Sequence, residues 1–241
     1  MTVSDFAPTL LVLDTSTEHL HLGLLVRGRQ FTRFQTGGAQ ASATLLPALQ
    51  GLLDEAQIGW AALDAIGYGR GPGAFTGVRV ACAVTQGLAE ALSKPVLGLD
   101  TLLAVADDAH AQGAGTHVRV AVDARMGEAY AAAYRYDDGA GWQVLDDPAL
   151  HDPTELASSI EPGVAVAGNS LLAHADAWQV FTGPRFADAV PRAEALLRLA
   201  LRQWQAGERR DAAEALPLYV RDRVALTTVE RDAVRLAKGA A

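Results

Sequence analysis

The chain has 241 residues and carries 28 Asp and Glu against 20 Lys and Arg, a formal net charge of −8. That balance argues against this chain being the main nucleic-acid-binding surface of an assembly, and it is compatible with docking onto a basic partner. Its one cysteine, Cys82, excludes an intramolecular disulfide framework. No stretch pairs a basic start with an apolar core or runs apolar for the length of a bilayer, so a soluble, cytoplasmic protein is expected.

An apolar run at residues 10–13 predicts a buried strand, and Asp14-Thr15-Ser16-Thr17 the polar turn it feeds. Strands follow at 20–26 and 29–36 around Gly28, and Gly37-Gly38 break the pattern. Ala41, Leu45, Leu46, Leu49, Leu52, Leu53 and Ala56 recur at helical spacing, so 41–56 reads as an amphipathic helix. A strand at 62–68 runs into the segment Gly67-Tyr68-Gly69-Arg70-Gly71-Pro72-Gly73-Ala74-Phe75-Thr76-Gly77-Val78-Arg79. Glycines there permit positive φ and the close approach of another backbone or of a ligand. The loop leads into a helix at 76–92, whose first amides lack intrahelical partners. Lys94-Pro95 stop that helix, and a strand at 96–99 and a helix at 102–112 complete the first half.

The same order then repeats. Strands at 118–122, 128–136 and 142–145 precede a short helix at 153–160. A strand at 164–167, a short helix at 170–176, a strand at 178–181 and a helix at 193–205 follow. The pattern β-β-β-α-β-α-β-α thus occurs twice, with a boundary near 113–116. It predicts an N-terminal lobe at 1–112, a C-terminal lobe at 117–221 and a tail at 222–241 with a short helix at 228–237. Three consecutive strands followed by alternating helix and strand is the ribonuclease-H-like order. Its tandem form is the two-lobed α/β fold of actin, sugar kinases and Hsp70 (ASKHA), with ligands in a cleft at the strand carboxyl ends.

Asp14 and Asp123 close the first strand of each copy and are expected to face that cleft. One reading makes Asp14, Thr15, Ser16, Gly71, Gly73 and Asp123 a nucleotide or anion loop. The other makes the same residues turn and capping chemistry around a tight strand-to-helix connection. The loop is neither G-x-G-x-x-G nor a Walker sequence. Of the six histidines, His19, His21, His110, His117, His151 and His174, none forms H-E-x-x-H or an i, i+4 helical pair, so no metal is expected. His19 and His21 share a strand face and read as exposed. Cys82, in the apolar run Val80-Ala81-Cys82-Ala83-Val84, reads as an inert buried thiol.

Two helices carry a different signal. Residues 76–92 are rich in small side chains, and Gly87 inside a helix costs about 1 kcal/mol relative to Ala. Close packing, within the fold or against another chain, would use the missing side chain. The helix at 41–56 has few charges, only Asp54 and Glu55, and so reads either as buried in its lobe or as a partner surface.

Several runs resemble the TsaB (YeaZ) family. They are Leu13-Asp14-Thr15-Ser16-Thr17, the segment 69–79, Gln86-Gly87-Leu88-Ala89, Val122-Asp123-Ala124-Arg125-Met126-Gly127-Glu128 and Pro217-Leu218-Tyr219-Val220-Arg221. The resemblance spans about residues 10–221. It implies a non-catalytic partner of the TsaD enzyme in forming threonylcarbamoyladenosine on tRNA. It further implies recruitment of the ATPase TsaE, self-association through the TsaD-binding surface, and contact with tRNA only through the complex. Neither a membrane nor a cofactor of its own is implied, ATP belonging to the assembly. The partner surface falls on the helices at 41–56 and 76–92, with Leu45, Leu46, Leu49, Leu53, Gly77, Val80, Val84 and Gly87. The related catalytic subunit carries a His-x-x-x-His metal pair after its glycine loop, where this chain has Thr101 and Val105; neither replaces imidazole. Many relatives carry a histidine shortly before Leu46-Pro47, where this chain reads Ala41-Ser42-Ala43-Thr44. Two alternatives stand beside this reading. One is a sugar-kinase or acetokinase enzyme using Asp14, Asp123 and Gly168-Asn169. The other, a glycoprotease-like metallopeptidase, is opposed by the missing ligand pair.

Overall fold

A computed structural model of the chain describes residues 7–37 and 41–221. The tail expected at 222–241, with its helix, lies outside the described residues. Strands β1 (Leu10–Asp14), β2 (His19–Val26), β3 (Arg29–Thr36), β4 (Ala65–Gly69) and β5 (Val96–Leu99) form one sheet in the order β3-β2-β1-β4-β5. Strands β6 (His117–Asp123), β7 (Ala129–Asp137), β8 (Gly141–His151), β9 (Ala165–Ala167) and β10 (Arg185–Phe186) form the second in the order β8-β7-β6-β9-β10. In each, the first three strands pair antiparallel and the last two add on in parallel. The two halves therefore match strand for strand, as the tandem two-lobed fold requires.

Burial follows from position in the sheet. Central β1 is buried along its whole length, because both its faces are covered and no polar alternation is needed. Edge strand β3 alternates exposed and half-buried residues. Leu11 and Leu13 face helices α1 (Ala41–Glu55) and α2 (Phe75–Leu92), in a cluster with Leu45, Leu49, Leu52, Leu53 and Ala81. Leu10 and Val12, on the opposite face, meet Leu196, Leu197 and Ala200 of α6 (Ala193–Ala206).

Helices cross between the halves. The helix covering the face of the first sheet opposite α1 and α2, α6, comes from the second half of the chain. The helix α3 (Thr101–Ala111), from the first half, places Leu102, Val105, Ala106 and Ala109 against Val118, Val120, Ala132 and Ala165 of the second sheet. On the other face of that sheet, α4 (Pro153–Ser159) and α5 (Ser170–Ala173) contribute Leu156, Ala157 and Leu171. At the junction, Asp107 of α3 accepts from Trp142 Nε1 at 2.9 Å and Arg198 Nε at 2.7 Å. Asp108 accepts from Val190 N at 3.0 Å and Arg192 Nε at 3.1 Å. Burial pushes the Asp108 carboxyl up, against the pull of these donors. Asp100 caps α3 through Leu102 N at 2.8 Å and also takes the Tyr134 hydroxyl at 2.8 Å.

Several expected elements differ. The strand expected at 178–181 is a 3-10 turn, Ala177–Val180. Trp178 there is fully buried, with its indole N–H on Ser170 Oγ at 3.1 Å, so its apolar run serves packing and not a ladder. The fifth strand of that sheet is the two-residue β10. β8 extends far beyond 142–145, to His151. The added residues include Asp146-Asp147-Pro148, which lie along a sheet edge, where proline is tolerated. His21, expected to be exposed, is buried beside Phe34 at 5.1 Å between ring centroids, and burial lowers its imidazole to about 3.

Candidate functional site: the interlobe cleft and the outer helices

Asp14 ends β1 and is buried completely. Its Oδ1 accepts from Ser16 N at 2.7 Å and Ser16 Oγ at 2.6 Å, and its Oδ2 from Thr101 Oγ1 at 2.8 Å. Burial pushes this carboxyl up, while the bonds from Ser16 and Thr101 pull it down. The glycines explain how the turn fits. A Cβ at Gly69 would overlap Asp14 Oδ2, one at Gly73 would lie 2.6 Å from Ser16 Cβ, and one at Gly77 would overlap Thr15 O. Thr15 Oγ1 donates to Gly77 O at 2.6 Å, and Ala74 N to Ser16 O at 2.8 Å. Every fourth residue of the loop is thus glycine because the β1 turn lies against it. Gly71 meets a different need, a φ of +97°.

Asp123 ends β6 in the matching place. Its Oδ1 accepts from Arg125 N at 2.8 Å and lies 3.3 Å from His174 Nε2, and its Oδ2 is 3.2 Å from Arg125 Nη1. Its amide donates to Asn169 Oδ1 at 2.9 Å. The next residues, Arg125, Met126 and Gly127, have φ of 63°, 57° and 81°, a left-handed turn rare for the first two.

Between the two turns lies a cavity of about 660 Å³. Thr101 and Val105, one helical turn apart on α3, both line it. Ser16, Gly73, Val122, Asp123 and Val190 form walls, and Leu218, Tyr219 and Arg221 the mouth. Among its described lining residues every Lys or Arg is ion-paired: Arg125 with Glu18 and Asp123, Arg221 with Glu128. A polyphosphate would have to break one of those pairs, so the kinase alternative is not favoured. The structure gathers Asp14, Thr15, Ser16, Gly71, Gly73 and Gly77 into one knot. Ser16, Gly73 and Asp123 reach the cavity, and Asp14, expected to face it, is sealed beneath Ser16 and Thr101.

The outer helices sort the remaining candidates. Leu45, Leu49 and Leu53 belong to the core, and Gly77 packs on Thr15. Leu46 is 44% exposed, and Val80 and Val84 are half-buried. Gly87 is exposed, with open space where a side chain would stand. Leu46, Val80, Val84 and Gly87 are therefore the members of that set at the surface, as helical spacing dictates once 45, 49 and 53 point inward. Burial, the larger cause, and the Asp14 charge push the Cys82 thiol up to about 12, which makes it unreactive. Among the described residues, no cluster of three or more His, Cys, Asp or Glu is placed to hold a metal, and no helix is long and apolar enough to cross a membrane.

Sequence reasoning did not single out Glu18, Arg125, Arg221 or Phe75 as site residues. Phe75, Arg125 and Arg221 lie within the family-like runs, which is the signal available for them; Glu18 lies outside those runs. Arg79 lies 3.2 Å from the Phe75 ring centroid and 4.9 Å from that of Tyr219, beside the mouth.

Two sheets of one topology, joined by exchanged helices and facing each other across a cavity, define the tandem two-lobed class of actin and the sugar kinases. The comparisons with known proteins narrow this. The family model for TsaD, tRNA N6-adenosine threonylcarbamoyltransferase, matches residues 37–179. The tRNA threonylcarbamoyladenosine biosynthesis protein TsaB of Escherichia coli (strain K12) is 31% identical over 222 residues, 90% of this chain and 96% of that one. TsaB of Haemophilus influenzae is 31% identical over 226 residues, 90% of this chain and 94% of that one. The solved structure of YeaZ from Pseudomonas aeruginosa superposes with a TM-score of 0.81 at 38% identity, covering 88% of this chain and 99% of that one. The chain belongs to the TsaB (YeaZ) family.

Proposed function

We propose that this chain is a non-catalytic scaffold and activator of a TsaD-like enzyme. In this reading it works in a TsaB–TsaD–TsaE-type complex that forms threonylcarbamoyladenosine on the adenosine next to the anticodon of ANN-decoding tRNAs. The observation that carries the reading is the pair Thr101 and Val105. The resemblance aligns them with the histidine pair of the catalytic subunit, and both line the cavity on one face of α3. Thr101 Oγ1 is committed to Asp14 Oδ2 and to Gly71 N at 3.1 Å, and Val105 offers no donor atom. These residues do not fit a metal centre. The partner contact is assigned to the outward side of α1 and α2, at Leu46, Val80, Val84 and Gly87. A TsaE-like ATPase joins the assembly, tRNA reaches the chain through it, and self-association uses the same helical side.

Reconstitution tests this. The chain mixed with its cognate TsaD-like and TsaE-like proteins should yield modified tRNA, and each component alone should not. Full activity of the TsaD-like protein by itself would overturn the proposal, as would turnover by the isolated chain. Gly87→Leu sharpens the interface assignment. The open space at Gly87 accommodates the side chain in the free protein, and affinity for the partner should fall about tenfold or more through overpacking. Unchanged affinity would remove Gly87 from the contact.

A further inference from the structure

After α6 the chain turns back along the first sheet and then leaves it. Arg210 pairs with Val96 at the free edge of β5, with N–O distances of 2.9 and 3.0 Å. Tyr68 Oη reaches the carbonyls of Glu214 and Leu216, both at 3.3 Å, and Leu218 N donates to Arg70 O at 2.7 Å. Up to Leu218 the segment is part of the first lobe. Three residues later, Arg221 belongs to the second. Its Nη2 is 2.8 Å from Glu128 Oε2 and 3.1 Å from Ala124 O, and its Nη1 is 3.4 Å from Met126 Sδ. Leu218, Tyr219 and Val220 span the mouth of the cavity between these two anchorages.

All three contacts of Arg221 fall on the turn that carries Arg125 and Met126 in left-handed conformations, which are unfavourable for a residue that bears a side chain. Such a turn persists only where its surroundings hold it. The Arg221 side chain is 14% exposed and that of Glu128 40%, so the pair is partly shielded from solvent. The second tie across the mouth, Arg125–Glu18 at 3.4 Å, has both side chains more than three-quarters exposed and holds weakly. At the opposite side of the cavity α3 and α6 are joined through buried Asp107 and Asp108.

We propose that residues 217–221 are a latch. With Arg221 seated on the turn at 124–128, the two lobes are held together at the mouth of the cavity. With Arg221 released, the mouth widens about the α3–α6 junction and the two lobes move apart.

Hydrogen exchange of the full-length chain tests this with Arg221→Ala and with Glu128→Gln. In Arg221→Ala, amide exchange at 122–130 and at 15–19 on the facing lobe should rise about tenfold, while β1 and β4 stay protected, the pattern of local opening. Glu128→Gln, a milder change that keeps the shape, should give the same pattern with a smaller rise. The latch is overturned if Arg221→Ala and Glu128→Gln leave both segments protected. It is equally overturned if exchange rises only at 122–130, or if it rises uniformly across both sheets.

Discussion

The aspartate turns that end β1 and β6 begin alike and finish in opposite surroundings. In each, Oδ1 accepts the amide two residues on, from Ser16 at 2.7 Å and from Arg125 at 2.8 Å. The first turn is then enclosed by a glycine loop that brings backbone against backbone, and its carboxylate is sealed from water. The second has no such loop. After β9 the chain offers Gly168 and Asn169, and Asp123 is left at the cavity among Arg125, His174 and Asn169. The shared hydrogen bond is local and sets the turn; the neighbouring segment decides whether that turn becomes core or site.

The sharpest way to break the contrast is at the glycines. Gly77→Ala forces a Cβ into Thr15 O, and the two backbones must separate, costing about 3 kcal/mol or more. Gly127→Ala, with nothing near its Cβ and a φ of +81°, should cost only about 1–2 kcal/mol. Urea midpoints of the two variants measure the difference, and equal losses would contradict the enclosed-turn account.

The aspartates come next. Asp14→Ala leaves Ser16 N and Thr101 Oγ1 buried without their acceptor and should cost about 2–4 kcal/mol, against about 1 kcal/mol for the partly solvated Asp123→Ala. Asp14 also predicts a pH dependence. Burial raises its carboxyl above the ordinary 3.8, so the folded chain holds a proton where the unfolded chain has lost it. Stability from this group therefore falls as pH rises from 3.8 through the folded value, and recovers on acidification. Urea titrations between neutral pH and pH about 4 should show the parent gaining on Asp14→Asn as pH falls. A constant difference would contradict the assignment.

The smallest effect is expected at the exposed tie. Glu18→Gln removes the Arg125 pair, both of whose side chains are mostly in water, and should change stability by less than about 0.5 kcal/mol. A loss above about 1 kcal/mol, measured at low and high salt, would mean that this tie shares the closure assigned to Arg221.

Much of this arrangement is legible in the sequence, and what is not has physical reasons. The strand order follows from apolar runs and breakers, because β1, β4 and β6 are apolar enough to read without a partner. Short β10 has no such pattern, since two residues at a sheet edge bury little. Trp178 misleads because an apolar run packs equally well as a turn. The glycine loop is conspicuous in sequence, and its dual reading, ligand or backbone, is decided only by the turn that fills it. Leu45, Leu49 and Leu53 read as apolar without saying which way they face. Arg221 carries no local pattern at all: its partners lie some ninety residues earlier, at Ala124 and Glu128.

The exchange of α3 and α6 bears on how the chain matures during synthesis. β1 is made first, yet the helix that covers its Leu10 and Val12 is not complete until Ala206. A ribosome that has finished the first half has therefore released a sheet with one greasy side bare. Folding of the amino-terminal portion must wait for nearly the whole polypeptide, a high-contact-order route that exposes the nascent chain to aggregation. The duplication visible in the order of strands is thus not a duplication of folding units.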